Sequence, residues 1–208
     1  SVQTASRVAM DADGDVVVTW QSFQDGGGYG IYARRYRAIV LKGTVDGGLL
    51  LGMGDPSDID AILVTHEHSD HIGGVATFAR RHNIPVWMTA GTSVMHSAND
   101  LPDLDWFDGH TPFAIGDLEI TPFPVPHDAR EPCQFVFSDG AVRLGILTDT
   151  GSITAHIQQQ LSGCEALLLE CNHDADMLRN GPYPPGLKRR VAGRLGHLDN
   201  EAAAALLG

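Results

Sequence analysis

The sequence predicts an α/β domain over residues 39–208, preceded by a short β-hairpin segment over residues 1–38. Three observations carry this reading. Short apolar runs recur from residue 61 and stop at turn residues, as buried strands do; apolar residues at helical spacing follow several of them; and side chains of metal-ligand type gather where the runs end.

Taken in order, the first 38 residues differ in texture from the rest. VVVTW at 16–20 and YGIYARRY at 29–36 flank the glycine-rich QDGGG at 24–28, which predicts two strands around a turn. Asp11, Asp13 and Asp15 alternate as in a calcium loop, yet the bidentate glutamate such a loop requires is replaced by Ser22, so the cluster reads as turn chemistry. The wording of this segment resembles a repeat of large secreted bacterial proteins, a single copy that supports no functional statement. Next, AILVT at 61–65 predicts a buried strand, and Ile72, Val75, Phe78 and Ala79 predict a helix over 72–82. Further strands are expected at 85–89, 118–125, 134–137, 142–148 and 166–170, and helices at 153–161, 174–180, 186–194 and 200–207.

Composition narrows the class. With 208 residues, 43% of them apolar, the chain can bury a core. No apolar run approaches the roughly 20 residues of a membrane-spanning helix, and residues 1–10 lack the layout of a signal peptide, so a soluble chain with no membrane partner is expected. Cys133, Cys164 and Cys171 match no disulfide or zinc-ribbon framework, which points to a reducing compartment, expected to be the cytoplasm, or to plain buried thiols. The net charge of −12 argues against indiscriminate nucleic-acid binding, though not against a local basic groove.

The chemistry concentrates in His66-Glu67-His68-Ser69-Asp70-His71. Four side chains of ligand type in six residues stand where a strand turns into a helix. Imidazole and carboxylate are donors that zinc accepts, and a catalytic zinc needs three protein ligands and an open position for water. The alternative, four such groups buried without a metal, would strand several polar atoms. Three other strand ends offer more donors: His127 in VPHD, Asp149 in LTDTG, and Glu170 with His173 in LECNHD. Each alone is an ordinary turn or cap; together they form a consistent site at the carboxyl ends of strands.

HEHSDHIGG resembles the HxHxDH signature of the metallo-β-lactamase superfamily. The wording of residues 58–203, with SDIDAILVTHEHSDHIGGV, PHDAREP, GILTDTG, LECNHDADML and LGHLDNEAA, is similar to the WalJ-type, nuclease-related branch. The resemblance implies a four-layer αβ/βα sandwich. It also implies that His66, His68 and His127 hold a first metal, that Asp70 and His71 hold a second, and that Asp149 bridges the two. Two-metal hydrolysis would follow, with the pKa of a water lowered to about 7 and Asp70 orienting it or taking its proton. Thr65, Glu67 and Asp128 are candidates to orient the imidazoles, or else turn and surface residues.

Two departures from the pattern matter. The glycine-rich opening of the family is represented only by Gly43-Thr-Val-Asp-Gly-Gly48, and the last histidine of the second metal is sought beyond Gly208, where the sequence stops. The sandwich is therefore expected to be incomplete at its C-terminal end, with His173 or His197 entering as catalytic or substitute ligands. One tight zinc site and a weaker one are expected, the second open to Mn2+ or Ca2+. Self-association would cover the apolar surface so exposed.

For the substrate, a small molecule or a nucleic acid, the branch resemblance and the basic run Lys188, Arg189 and Arg190, near Arg179 and Arg194, favour phosphodiesters. Against this stand the acidic balance and the ordinary reading of such a run as a solvated face. A lactone or ester hydrolase, such as an acyl-homoserine lactonase, is the alternative, with Trp87, Met88, Met95, Trp106 and Phe107 as acyl-pocket or core residues. Nothing singles out a β-lactam. A non-catalytic metal-binding remnant is the reading from outside enzymology.

Overall fold

The computed structural model describes the strand backbone at residues 3–10, 16–24, 27–34, 40–43 and 49–51, and residues 59–94, 101 and 103–207 in full. The Asp11–Asp15 cluster, most of the glycine-rich 43–48 stretch and Met95 lie outside the described residues. Contacts divide the chain into two compact units, Ser1–Phe107 and Asp108–Gly208.

In the first unit, β1 (Gln3–Met10), β2 (Val16–Gln24), β3 (Gly27–Arg34), β4 (Val40–Gly43) and β5 (Leu49–Leu51) form an antiparallel sheet in sequential order. The expected hairpin is β2 against β3, with Trp20 opposite Tyr32. A second, parallel sheet holds β6 (Ile62–Leu63), β7 (Val86–Met88) and β8 (Leu104–Trp106). Its core joins Ile62, Val64, Val86 and Met88 to Ile72, Val75 and Ala79 from the helices.

The helix expected over 72–82 is two helices. These are α1 (Ser69–Ile72) and α2 (Val75–His82), parted by Gly73 and by Gly74, whose φ of 81° suits glycine alone. α3 (Ala90–Ser93) follows β7, with Thr89 Oγ1 accepting from the Thr92 amide at its start. Met88 and Phe107 are buried, and Met88 belongs to this unit's core; Trp87 is half-buried and Trp106 is 60% exposed.

The second unit is a five-stranded sheet in the order β13-β12-β11-β10-β9. Its strands are β9 (Phe113–Ile115), β10 (Leu118–Pro124), β11 (Cys133–Ser138), β12 (Arg143–Leu147) and β13 (Ala166–Leu169). β11 is antiparallel to both β10 and β12, and β13 is parallel to β12 across the crossover helix α4 (Ala155–Leu161). Consequently β10, β12 and β13 all run the same way, and their carboxyl ends share one edge. Ile157 and Leu161 of α4 pack on Phe123, Val125, Val136 and Leu147.

Three more helices complete the unit: α5 (Ala175–Asn180), α6 (Pro185–Val191) and α7 (Asn200–Leu206). Side-chain oxygens of Thr154, Asp174 and Asp199 accept from the amides of Ile157, Met177 and Ala202, so α4, α5 and α7 each begin at a satisfied cap. No helix among the described residues is long and apolar enough to cross a membrane.

Candidate metal centre

The strand-to-helix turn after β6 carries the first cluster. His68 caps α1 in an extended conformation, and its carbonyl accepts from the amides of His71 and Ile72 at 2.9 and 3.0 Å. This fold-back brings His71 beside His66, with ring centroids 4.1 Å apart. Thr65 Oγ1 lies 3.0 Å from His66 Nδ1 and 3.1 Å from His71 Nδ1. Thr65 therefore orients two imidazoles by their Nδ1 atoms and aims their Nε2 atoms away from itself. His66 Nε2 and His68 Nδ1 approach to 3.0 Å. Two nitrogens bound tetrahedrally to zinc stand about 3.3 Å apart, so the pair is close to the spacing of co-ligands. Asp70 stands in the first turn of α1, half-exposed, with one carboxylate oxygen 3.7 Å from His71 Nε2.

The second unit carries the other cluster on its shared sheet edge, where β10 leads to His127, β12 to Asp149 and β13 to Glu170. The Nδ1 of His127 donates to the carbonyl of Gly196 at 3.0 Å, because a carbonyl can only accept, and this puts the lone pair on Nε2. His197 Nδ1 donates to Glu170 Oε1 at 2.6 Å with the same effect, and stands 3.4 Å from Asp149 Oδ1. The other Glu170 oxygen accepts from the amides of Thr150 and Leu198, both at 3.1 Å. Burial pushes the Glu170 carboxyl up to about 7, against the hydrogen bond from His197, which lowers it. One ligand atom each from His127, Asp149 and His197 lies within 4.8 Å of the others. Two imidazoles with oriented tautomers and one carboxylate are a donor set that fits zinc.

Glycines let these loops meet. A Cβ on Gly151 would collide with the backbone of Arg194 and Gly196, and one on Gly196 with the carbonyls of Arg190 and Val191. The Gly151 amide also donates to Pro126 O at 2.8 Å, tying the Asp149 loop to the His127 loop.

The remaining predicted residues fall around this cluster. His173 is half-buried, bonds to Asn172 Oδ1 through Nδ1 at 3.3 Å, and is not among the grouped ligand atoms; His197 is. Burial lowers the His173 pKa. His173, His197, Lys188 and Arg189 line a cavity of about 630 Å³. Arg190 is placed differently from its neighbours, since its guanidinium pairs with Asp128 at 2.6 Å. The cysteines are thiols, but they are not uniformly buried: Cys133 is buried, Cys164 half-buried and Cys171 exposed. Glu170 was legible as a strand end and not as the group that orients His197, because that contact spans 27 residues.

Comparison with known proteins gives this geometry a context. Residues 51–208 match the family model described as "Beta-lactamase superfamily domain". The chain is 39% identical over 155 residues to "Exodeoxyribonuclease YycJ" of Bacillus anthracis, covering 71% of this chain and 58% of that protein. It is 37% identical to "Exodeoxyribonuclease WalJ" of Streptococcus pneumoniae D39, covering 72% of this chain and 58% of that one. The chain thus spans under two thirds of the length of these relatives. Its fold is shared with the metallo-β-lactamase fold protein YhfI of Bacillus subtilis, with a TM-score of 0.60 at 16% identity, over 95% of this chain and 76% of that one. By the matched model, the relatives and the HEHSDH turn, the chain belongs to the metallo-β-lactamase superfamily.

Proposed function

We propose that this chain is a metal-dependent phosphodiesterase of nuclease type, with His66, His68, Asp70, His71, His127, Asp149 and His197 as its metal ligands. The observation that carries the reading is the second cluster, in which two imidazoles have their Nδ1 atoms committed to a carbonyl and a carboxylate beside Asp149. His197 stands with His127 and Asp149 as the third member of that cluster. Zinc fits this mixture of imidazole and carboxylate, and when bound it supplies charge to polarise a phosphoryl oxygen and to acidify a water.

The protein side of the mechanism rests on positioning. Thr65, Gly196 and Glu170 fix the imidazoles in single orientations, so that little reorganisation is needed as charge develops. Asp70, exposed and beside His71, is the group proposed to take the proton of the attacking water. The exodeoxyribonuclease names of the two relatives support a phosphodiester over a lactone. Three thiols without a disulfide suit a reducing, cytoplasmic setting.

The test is metal analysis of the purified chain, followed by hydrolysis of bis-nitrophenyl phosphate, single-stranded DNA and an acyl-homoserine lactone. Each is assayed after chelation and after return of zinc or manganese, with His68→Ala as control. Cleavage of the two phosphodiesters that needs metal and fails in His68→Ala is expected. Less than one metal per chain with no restored hydrolysis, or cleavage of the lactone alone, would overturn the reading.

A further inference from the structure

The second unit contains a cavity that neither the family match nor the relatives' names assign. It opens between α5, α6 and α7, occupies about 630 Å³, and reaches His197 at one end. That volume falls within the range of small-molecule sites. Its walls divide by chemistry. Arg179, Lys188 and Arg189 supply cations, whereas Ile153, Leu178 and the alanines of α7 supply an apolar floor.

In a chain with a net charge of −12 and only 14 lysines and arginines, three cations around one cavity are a local reversal of sign. Two nearby acids reduce it. Asp176 pairs with Arg179, and the lining Asp199 spends one oxygen on the Ala202 amide that it caps. Lys188 Nζ is steered to the Arg179 carbonyl at 2.7 Å, a neutral partner that leaves its charge uncompensated.

We infer that this cavity binds one nucleoside monophosphate unit of the substrate strand, with the phosphate on Lys188 and Arg189 and the base over Leu178 and Ile153. The inference rests on the phosphodiesterase reading for its choice of ligand and on the cavity for its place. A phosphate held by cations and a base against apolar side chains use both kinds of wall, whereas a bare anion uses one and an acyl chain the other. Because His197 lines the same cavity and also belongs to the ligand cluster, a nucleotide seated there adjoins the bond to be cut. Lys188 and Arg189 are thus substrate-positioning residues for the leaving or retained nucleotide.

Binding can be read without turnover. The chelated chain is titrated by calorimetry with dAMP and, separately, with inorganic phosphate. We expect dAMP to bind at least about tenfold more tightly than phosphate, and Lys188→Gln/Arg189→Gln to weaken dAMP about tenfold or more, as loss of charge-assisted contacts does. Ala205→Phe, an exposed position that lines the cavity, should weaken dAMP and leave phosphate unchanged. Equal binding of dAMP and phosphate, or dAMP binding indifferent to both variants, would overturn the inference. Phosphodiester hydrolysis unaffected by the double variant would do so too, while leaving the hydrolase reading intact; dAMP binding in a chain that cuts no phosphodiester would leave the site standing and sink the activity.

Discussion

Arg190 donates through Nε and Nη2 to both carboxylate oxygens of Asp128, at 2.6 and 3.3 Å, and so fastens α6 to the residue that follows His127. The same helix leads into Gly196, whose carbonyl holds His127 Nδ1, and the His197 amide donates back to Val191 at its end. One short helix therefore supports both imidazoles of the second cluster, and one member of the basic run has a structural task.

Replacing Arg190 separates stability from metal binding. The Arg190 side chain is more than half exposed and that of Asp128 is partly so, and Arg190→Ala should cost no more than about 1 kcal/mol of stability. Loss of the clamp should nonetheless lower metal affinity about tenfold, as loss of an outer contact to a ligand does. Arg190→Lys should restore only part of it, since an ammonium cannot grip both oxygens. Chelator competition measures this, and unchanged affinity in Arg190→Ala would show that the clamp does not position His127.

Glu170 invites a paired comparison. Glu170→Ala removes the acceptor of the buried Thr150 and Leu198 amides, each orphaned donor costing about 1–3 kcal/mol. Glu170→Gln can keep an oxygen on those amides while turning its NH2 toward His197 Nδ1. That favours the tautomer with the proton on Nε2, where the metal would bind. The alanine variant should lose several degrees of melting temperature, and the glutamine variant should melt near wild type yet bind metal poorly.

Four of the five strands of the second sheet were legible because their apolar runs stop sharply, three of them just before His127, Asp149 and Glu170. The sequence concealed the break at Gly73–Gly74, where the apolar spacing of Ile72, Val75 and Ala79 runs on across two helices. β1, β4, β5, β8, β9 and α3 escaped notice because QTASRVAM mixes polar and small residues and the other five are only three or four residues long. Pairing of Glu170 with His197, and of Arg190 with Asp128, depends on loops meeting across the sheet edge, which no local pattern encodes. His197 was visible only as one of two candidates; the Glu170 contact distinguishes it from His173.

Two glycines should respond oppositely to the same substitution. Gly151→Ala sets a Cβ against the backbone of Arg194 and Gly196, which cannot rotate away, so a cost of about 1–3 kcal/mol and a weakened metal site are expected. At Gly186 in α6 a Cβ meets nothing within 4 Å. Gly186→Ala should therefore stabilise by up to about 1 kcal/mol through helix propensity alone. Thermal melts of the two variants compare them directly, and a Gly151→Ala protein as stable as wild type would mean that the two loops are not in close packing.

The cysteines provide a test of the second core under mild conditions. Burial, reinforced by the charges of Glu131 and Asp108, pushes the Cys133 thiol up to about 12. At pH 8 the thiolate of such a group is about one part in ten thousand, so neither access nor ionisation permits reaction. Cys171 is exposed and should be modified first by a thiol reagent, with Cys133 reacting only once denaturant is added. Because the folded value lies above the thiol's ordinary 9.0, the protonated thiol favours the folded state. That contribution is complete below pH 9 and is lost as pH rises from about 9 toward 12. A Cys133→Ala protein should therefore lose less stability than wild type over that alkaline range, and parallel losses in the two proteins would show that Cys133 is not held in a low-dielectric core.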